Sequence, residues 1–276
     1  MRRLAIVLGA VLACAGAEAA PPRVPDFEHV VVVVLENKSR GKVLGNRHAP
    51  GFNAFARRGS VLSGYRGVTH PSLPNYIALV SGSTHGIATN CTSCTVAGKS
   101  LADTLEARGL SWKAYAEDLP RSGWTGASRG RYAKKHVPFL YFRRVLSQPA
   151  RRRRVVPLRQ LSRDRAAHRL PNFSLVVPNL CHDMHDCSVA AGDRWLRGFL
   201  PPLLNLAGTA VFVTFDESDT ADPGIPGLAL GRLVRPGSRY RQAMSHYGLL
   251  RTIEDGFGLP HLGRAARARP VTGIWH

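Results

Sequence analysis

His29-Val30-Val31-Val32-Val33-Val34-Leu35, followed at once by Glu36-Asn37-Lys38-Ser39, is the stretch on which the fold turns. Five consecutive valines are stiff at χ1 and favour extended backbone. A strand with one face in water alternates apolar and polar residues. This one does not, so it predicts an inner strand of a parallel sheet, covered on both faces. Outward along the chain, Trp112–Ala116 reads as a second strand. Phe173–Val177 is another, stopped by Pro178, and Thr209–Phe215 another, stopped by Asp216-Glu217. Leu228–Val234 reads as a further strand. Helical signals lie between them. An apolar stretch at Tyr76–Val80 follows a Pro-rich turn and starts a helix. Ser100 caps a helix over Leu101–Arg108 that Gly109 stops. Tyr247–Phe257 has apolar residues at helical spacing, with Gly258 after it. Strands alternating with helices predict an α/β domain with a mostly parallel sheet.

The chain has 276 residues, 38 Lys plus Arg against 18 Asp plus Glu, and a formal net charge of +20. A hydrophobic share of 44% excludes a wholly disordered chain. The charge predicts an anionic partner: nucleic acid, a membrane surface or a phosphorylated substrate. Residues 120–169, with Arg151-Arg152-Arg153-Arg154, read as a basic surface excursion within a single domain over 20–276. Arg2 and Arg3, an apolar run Leu4–Ala15 and the small-x-small Ala17-Glu18-Ala19 read as a signal peptide over residues 1–19. The expected location is therefore periplasmic or secreted, with no membrane span after cleavage. Four cysteines remain beyond that segment. Their spacings favour two local disulfides, Cys91–Cys94 and Cys181–Cys187. The alternative is zinc, which the second spacing suits poorly.

Sites in parallel sheets form outside the carboxyl ends of strands. Three strands end in polar clusters: Glu36-Asn37, Asn179 onward, and Asp216-Glu217. Adjacent carboxylates repel, and a bound cation relieves the cost. The alternative for Asp216 and Glu217 is a turn cap beside a solvated carboxylate. Thr69-His70-Pro71-Ser72-Leu73-Pro74-Asn75-Tyr76 puts a hydroxyl between two prolines ahead of a helix, near amides that favour an anion. Asn75 is placed to donate its amide to a phosphate oxygen. A Ser-capped turn is the bland alternative.

These residues carry a resemblance. The chain resembles the phosphoesterase family that includes bacterial phospholipases C and acid phosphatases, within the alkaline phosphatase superfamily. The matching stretches are 29–39, 69–82, 112–120, 178–193, 214–219 and 245–255. The resemblance implies a three-layer α/β/α architecture with an alkaline-phosphatase-like core. It implies one divalent metal ion held by Glu36, Asn37, Asp216 and Glu217, with room for a second. It implies Ser72 as nucleophile forming a phosphoserine, Asn75 on a phosphate oxygen, and His246 and His185 stabilising the transferring group or protonating the leaving alcohol. His136, in Lys135-His136-Val137-Pro138-Phe139, resembles a family element that reaches the substrate; the alternative is a surface histidine in a basic loop. Within His182-Asp183-Met184-His185-Asp186, His185 is favoured over His182 by its distance from Ser188-Val189. Asp193 reads as the cap of the helix carrying Trp195 and Leu196.

The short chain favours small phosphomonoesters over a phospholipase C-type diester. A third possibility is a non-enzymatic basic protein for an anionic polymer or lipid, such as an envelope surface. No known motif points to specific nucleic acid binding.

Overall fold

The computed structural model describes residues 23–276, so the segment read as a signal peptide lies outside the described residues. Eight strands form one sheet: β1 His29–Leu35, β2 Ser60–Leu62, β3 Trp112–Ala116, β4 Val155–Pro157, β5 Phe173–Val177, β6 Thr209–Phe215, β7 Gly227–Leu230 and β8 Arg239–Tyr240. Their order across the sheet is β8-β2-β7-β6-β1-β5-β3-β4. Only β7 runs against its neighbours. The valine run sits where its pattern requires, flanked by β5 and β6 and buried along its length. The strand expected over Leu228–Val234 is shorter and antiparallel. It stops at Gly231, whose φ of +106° no L side chain adopts with ease.

Six helices of seven residues or more flank the sheet: α1 Pro50–Arg58, α2 Ser72–Ser81, α3 Leu101–Ala107, α4 Arg159–Ala166, α5 Val189–Phe199 and α6 His246–Gly256. Phe212 and Phe215 of β6, three residues apart, face opposite sides of the sheet. Phe215 meets Phe52 of α1, while Phe212 meets Trp275, which packs with Phe27 against Phe257 at the end of α6. Helices therefore cover both faces, in the expected three-layer α/β/α arrangement. No described helix is long and apolar enough to cross a membrane.

Residues 120–169 differ from a purely surface excursion. The segment supplies edge strand β4, and Val137, Phe139, Leu140, Tyr141 and Phe142 are buried in the core. Arg151 is itself buried, paired with Asp103 and Glu106. Asp193 does not cap its own helix; Ser188 does that for α5. Asp193 lies one turn inside α5, and its carboxylate accepts from the backbone N–H groups of Gly51 and Phe52. It caps α1 from a neighbouring helix, because its partners lie far away in sequence.

Buried Glu254 on α6 accepts from Leu262 N at 2.9 Å through Oε1, while Oε2 has no hydrogen-bond partner. Burial pushes its carboxyl up to about 8. The folded state thus holds a proton that the unfolded chain releases near pH 4–5, and stability falls as pH rises from there through about 8. Glu254→Gln is expected to raise the melting temperature by a few degrees at pH 9 and by progressively less toward pH 5. Thermal denaturation across that range checks it.

Candidate active site

Strands β1 and β6 run side by side with Leu35 opposite Phe215, so Glu36 and Asp216 emerge together at their carboxyl ends. Asp216 N donates to Leu35 O at 3.0 Å, and Asn37 N donates to Asp216 Oδ1 at 3.0 Å. On the other flank, the loop after β5 returns Asp183 to β1, where Glu36 N donates to its carbonyl at 2.8 Å. Helix α2 begins at Ser72. Ser72 Oγ lies 3.0 Å from Glu36 Oε2 and 3.4 Å from Glu217 Oε1. Tyr76 is one helical turn on and shares that face of α2. Its hydroxyl donates to Glu36 Oε1 in a short hydrogen bond.

His136 is 1% exposed, which sets aside the surface-loop alternative. Its ring stacks on Tyr76 at 5.3 Å. Nε2 lies 3.3 Å from Glu36 Oε2, and Nδ1 lies 3.5 Å from Asp183 Oδ2. The His185 ring lies 6.2 Å from the His136 ring. His182 is engaged elsewhere, with Nδ1 2.9 Å from Glu117 Oε2 and its ring on Trp195. His246 is also buried, with Nδ1 3.0 Å from Tyr65 Oη and Nε2 2.6 Å from the Asp216 carbonyl. Both its nitrogens are occupied, and burial lowers its ring to about 4, so it stays neutral.

The electrostatics are those of crowded acids. Burial and the neighbouring Glu36 and Glu217 charges push Asp216 well above the carboxylate range. Burial and Glu36 raise Asp183 to about 9. Burial also raises Glu217, against the pull of His70. Burial would raise Glu36 too, but His136, Tyr76 and Lys135 outweigh it and hold the group low. Asp216 Oδ2 and Asp183 Oδ2 are buried with no hydrogen-bond partner. Such orphaned oxygens are costly unless a cation or proton satisfies them.

Comparison with known proteins places this geometry. A profile described as the phosphoesterase family matches residues 46–260. The chain belongs to the phosphoesterase family. It is 40% identical over 258 residues to a phosphatidylinositol-3-phosphatase of Mycobacterium tuberculosis, covering 91% of this chain and 84% of that one. It is 30% identical over 227 residues to an acid phosphatase of Aspergillus fumigatus, covering 76% of this chain and about half (51%) of that one. Among solved structures, an alkaline phosphatase superfamily protein from Vibrio parahaemolyticus superposes with a TM-score of 0.61 at 12% identity, over 91% of this chain and 72% of that one. That likeness bears on the fold alone. The phosphoesterase is a hydrolase of phosphoric esters, with the alkaline-phosphatase-like core its sequence suggested.

Several site residues of the phosphoesterase differ from expectation. Asn75 is fully buried, and its amide is spent on the preceding loop. Oδ1 accepts from Val68 N and Thr69 N, and Nδ2 donates to Thr69 O and Pro71 O. The structure makes it the brace that holds the 68–71 turn and so aims Ser72. His70, in the same motif, brings Nδ1 within 2.6 Å of Glu217 Oε2. Sequence reasoning passed over His70, Tyr76 and Tyr65, although two of them stand inside the quoted Ser72 motif. Asp183 was seen only as part of a histidine cluster. Both expected disulfides are closed, Cys91–Cys94 and Cys181–Cys187, which excludes zinc on these thiols. The second ties off the loop that carries Asp183 and His185.

Proposed function

We propose that the phosphoesterase is an exported, metal-dependent phosphomonoesterase that works through a phosphoserine on Ser72. The observation that supports this most is the Ser72 hydroxyl at the start of α2, set between the Glu36 and Glu217 carboxylates. Glu36, Asn37, Asp216 and Glu217 are the candidate metal holders. Among the described residues, no three His, Cys, Asp or Glu side chains stand ready-made as a metal cluster. The donor chemistry nonetheless fits, because three crowded carboxylates and an amide oxygen are a hard-oxygen set, and the orphaned Asp216 Oδ2 lacks a partner a cation would provide. A bound divalent ion supplies Lewis acidity toward the serine and phosphoryl oxygens.

The chain's own groups do the rest. Glu36, kept ionised by its neighbours, accepts the Ser72 hydrogen bond and orients Oγ. As the Ser72 Oγ–P bond forms and the P–O bond to the alcohol breaks, the hydroxyl proton passes to the Glu36 carboxylate that accepts from it, and the alcohol leaves with a proton from a neighbouring donor. His136, 3.3 Å from the same Glu36 oxygen that accepts from Ser72, and His185, whose ring lies 6.2 Å from the His136 ring, are the candidate proton donors. Water then cleaves the phosphoserine. His246 acts at one remove: it clamps the Asp216 backbone and so fixes the carboxylate pair.

Phosphate monoesters are the proposed substrate class, with phosphorylated lipid headgroups included because of the mycobacterial relative's name. The test is p-nitrophenyl phosphate hydrolysis by chelator-treated protein, before and after adding single divalent ions. Activity is expected to vanish on chelation and return with a hard divalent ion. Full activity after exhaustive chelation would sink the metal reading.

A further inference from the structure

One cleft of about 710 Å³ lies next to the site and has no part in the chemistry above. Arg66, Arg264, Arg267 and Arg269 line it, together with Gln242 and Tyr247. All four arginines are exposed, no lining residue is acidic, and none of the four makes an ion pair among the described residues. The Arg264 guanidinium lies over the Tyr247 ring, 5.7 Å from its centroid, which holds one fork in place. Four unpaired guanidinium groups around one concavity repel each other. They favour an occupant of opposite charge, and their planar forks suit phosphate oxygens.

Both walls of the cleft join the active site directly. Arg66 is followed by Gly67, whose open side faces the Glu217 backbone; a Cβ there would stand 3.3 Å from Glu217 Cα. Ser245, also on the cleft, caps α6 immediately before His246, which holds the Asp216 carbonyl. We infer that this cleft binds a second anionic group, a phosphate or phosphodiester, of the same molecule whose ester is hydrolysed beside Ser72. The inference rests on the phosphomonoesterase reading and adds a specificity element to it: substrates carrying two anionic groups are preferred over those carrying one.

The test compares the full chain with Arg264→Gln/Arg267→Gln. A charge-matched control, Arg153→Gln/Arg163→Gln, removes two arginines near the opposite edge of the sheet. The substrates are p-nitrophenyl phosphate and a short alkane-1,4-diol bisphosphate. The cleft variant is expected to raise KM for the bisphosphate about tenfold, as loss of two charge-assisted contacts implies. Its kcat and its rate on p-nitrophenyl phosphate should be unchanged, and the control should behave as wild type. Calorimetric binding of the bisphosphate should weaken in parallel, a readout that survives even if turnover fails. A further arm offers phosphatidylinositol monophosphate in vesicles and as its soluble short-chain form. Loss on both supports a subsite for the substrate's second anion. Loss on vesicles alone, equal loss on both soluble substrates, or no change would overturn it.

Discussion

Ser72→Ala is expected to lower kcat for p-nitrophenyl phosphate by roughly 10³-fold or more, the scale on which removal of a covalent nucleophile, the role proposed for Ser72, acts. The fold should barely notice. Ser72 is buried at the first position of α2, and its hydroxyl makes contacts only within the acidic cluster, to Glu36 and Glu217. Alanine is the better helix former, Tyr76 still donates to Glu36, and Leu73 N remains bonded to Asn90. The melting temperature is therefore expected to stay within a few degrees of wild type. Acid quenching of wild type during turnover should leave a phosphoryl group on the peptide containing Ser72, and the alanine variant should carry none. A variant that keeps wild-type turnover would remove Ser72 from the chemistry.

Asp216→Asn moves stability and activity in opposite directions. In the folded chain the Asp216 carboxyl titrates well above its ordinary range, owing to burial and to the Glu36 and Glu217 charges. Between the ordinary carboxyl pKa of about 4 and that raised value, the folded state binds more protons than the unfolded state. Stability therefore falls as pH rises through this window. Asparagine has nearly the same shape, keeps an oxygen for Asn37 N and cannot ionise. Chelator-treated Asp216→Asn should melt several degrees above wild type at pH 8, with the gap closing toward pH 4. Its metal-stimulated kcat is expected to fall by about 10²–10³-fold, because one of the carboxylates proposed to hold the metal loses its charge. A lower melting point at pH 8 would show that the acid cluster does not carry the strain assigned to it.

These two outcomes bear on what was legible in the sequence. Strands β1, β3, β5 and β6 stood out with their boundaries because their residues are mostly apolar on both faces, Lys113 of β3 being the charged exception, and this is a local property of the chain. Strands β2, β4 and β8 span two or three residues and exist only through distant pairing, so no local pattern announces them. The same division runs through the site. Glu36, Asp216, Glu217 and Ser72 were visible because strand ends and a proline-bounded turn mark them. Asn75 was assigned to substrate because a free amide after a serine suggests it, whereas four short-range backbone partners claim it. Asp193 was assigned to its own helix because the amides it caps lie on a helix much earlier in the chain. His136 sat in an arginine-rich stretch, and only tertiary packing shows that stretch crossing the core.

The central position of β1 has a consequence for how the chain comes together. β1 is near the beginning, yet its partners are Phe173 and its successors on one side and Thr209 and its successors on the other. Each pairing closes a loop longer than half the chain, and topologies dominated by such distant contacts fold slowly. As the polypeptide emerges from the ribosome, its most apolar strand waits without either neighbour until β5 and then β6 have been made. Synthesis stopped before Phe215 leaves that valine ribbon with an open edge, a ready template for aggregation.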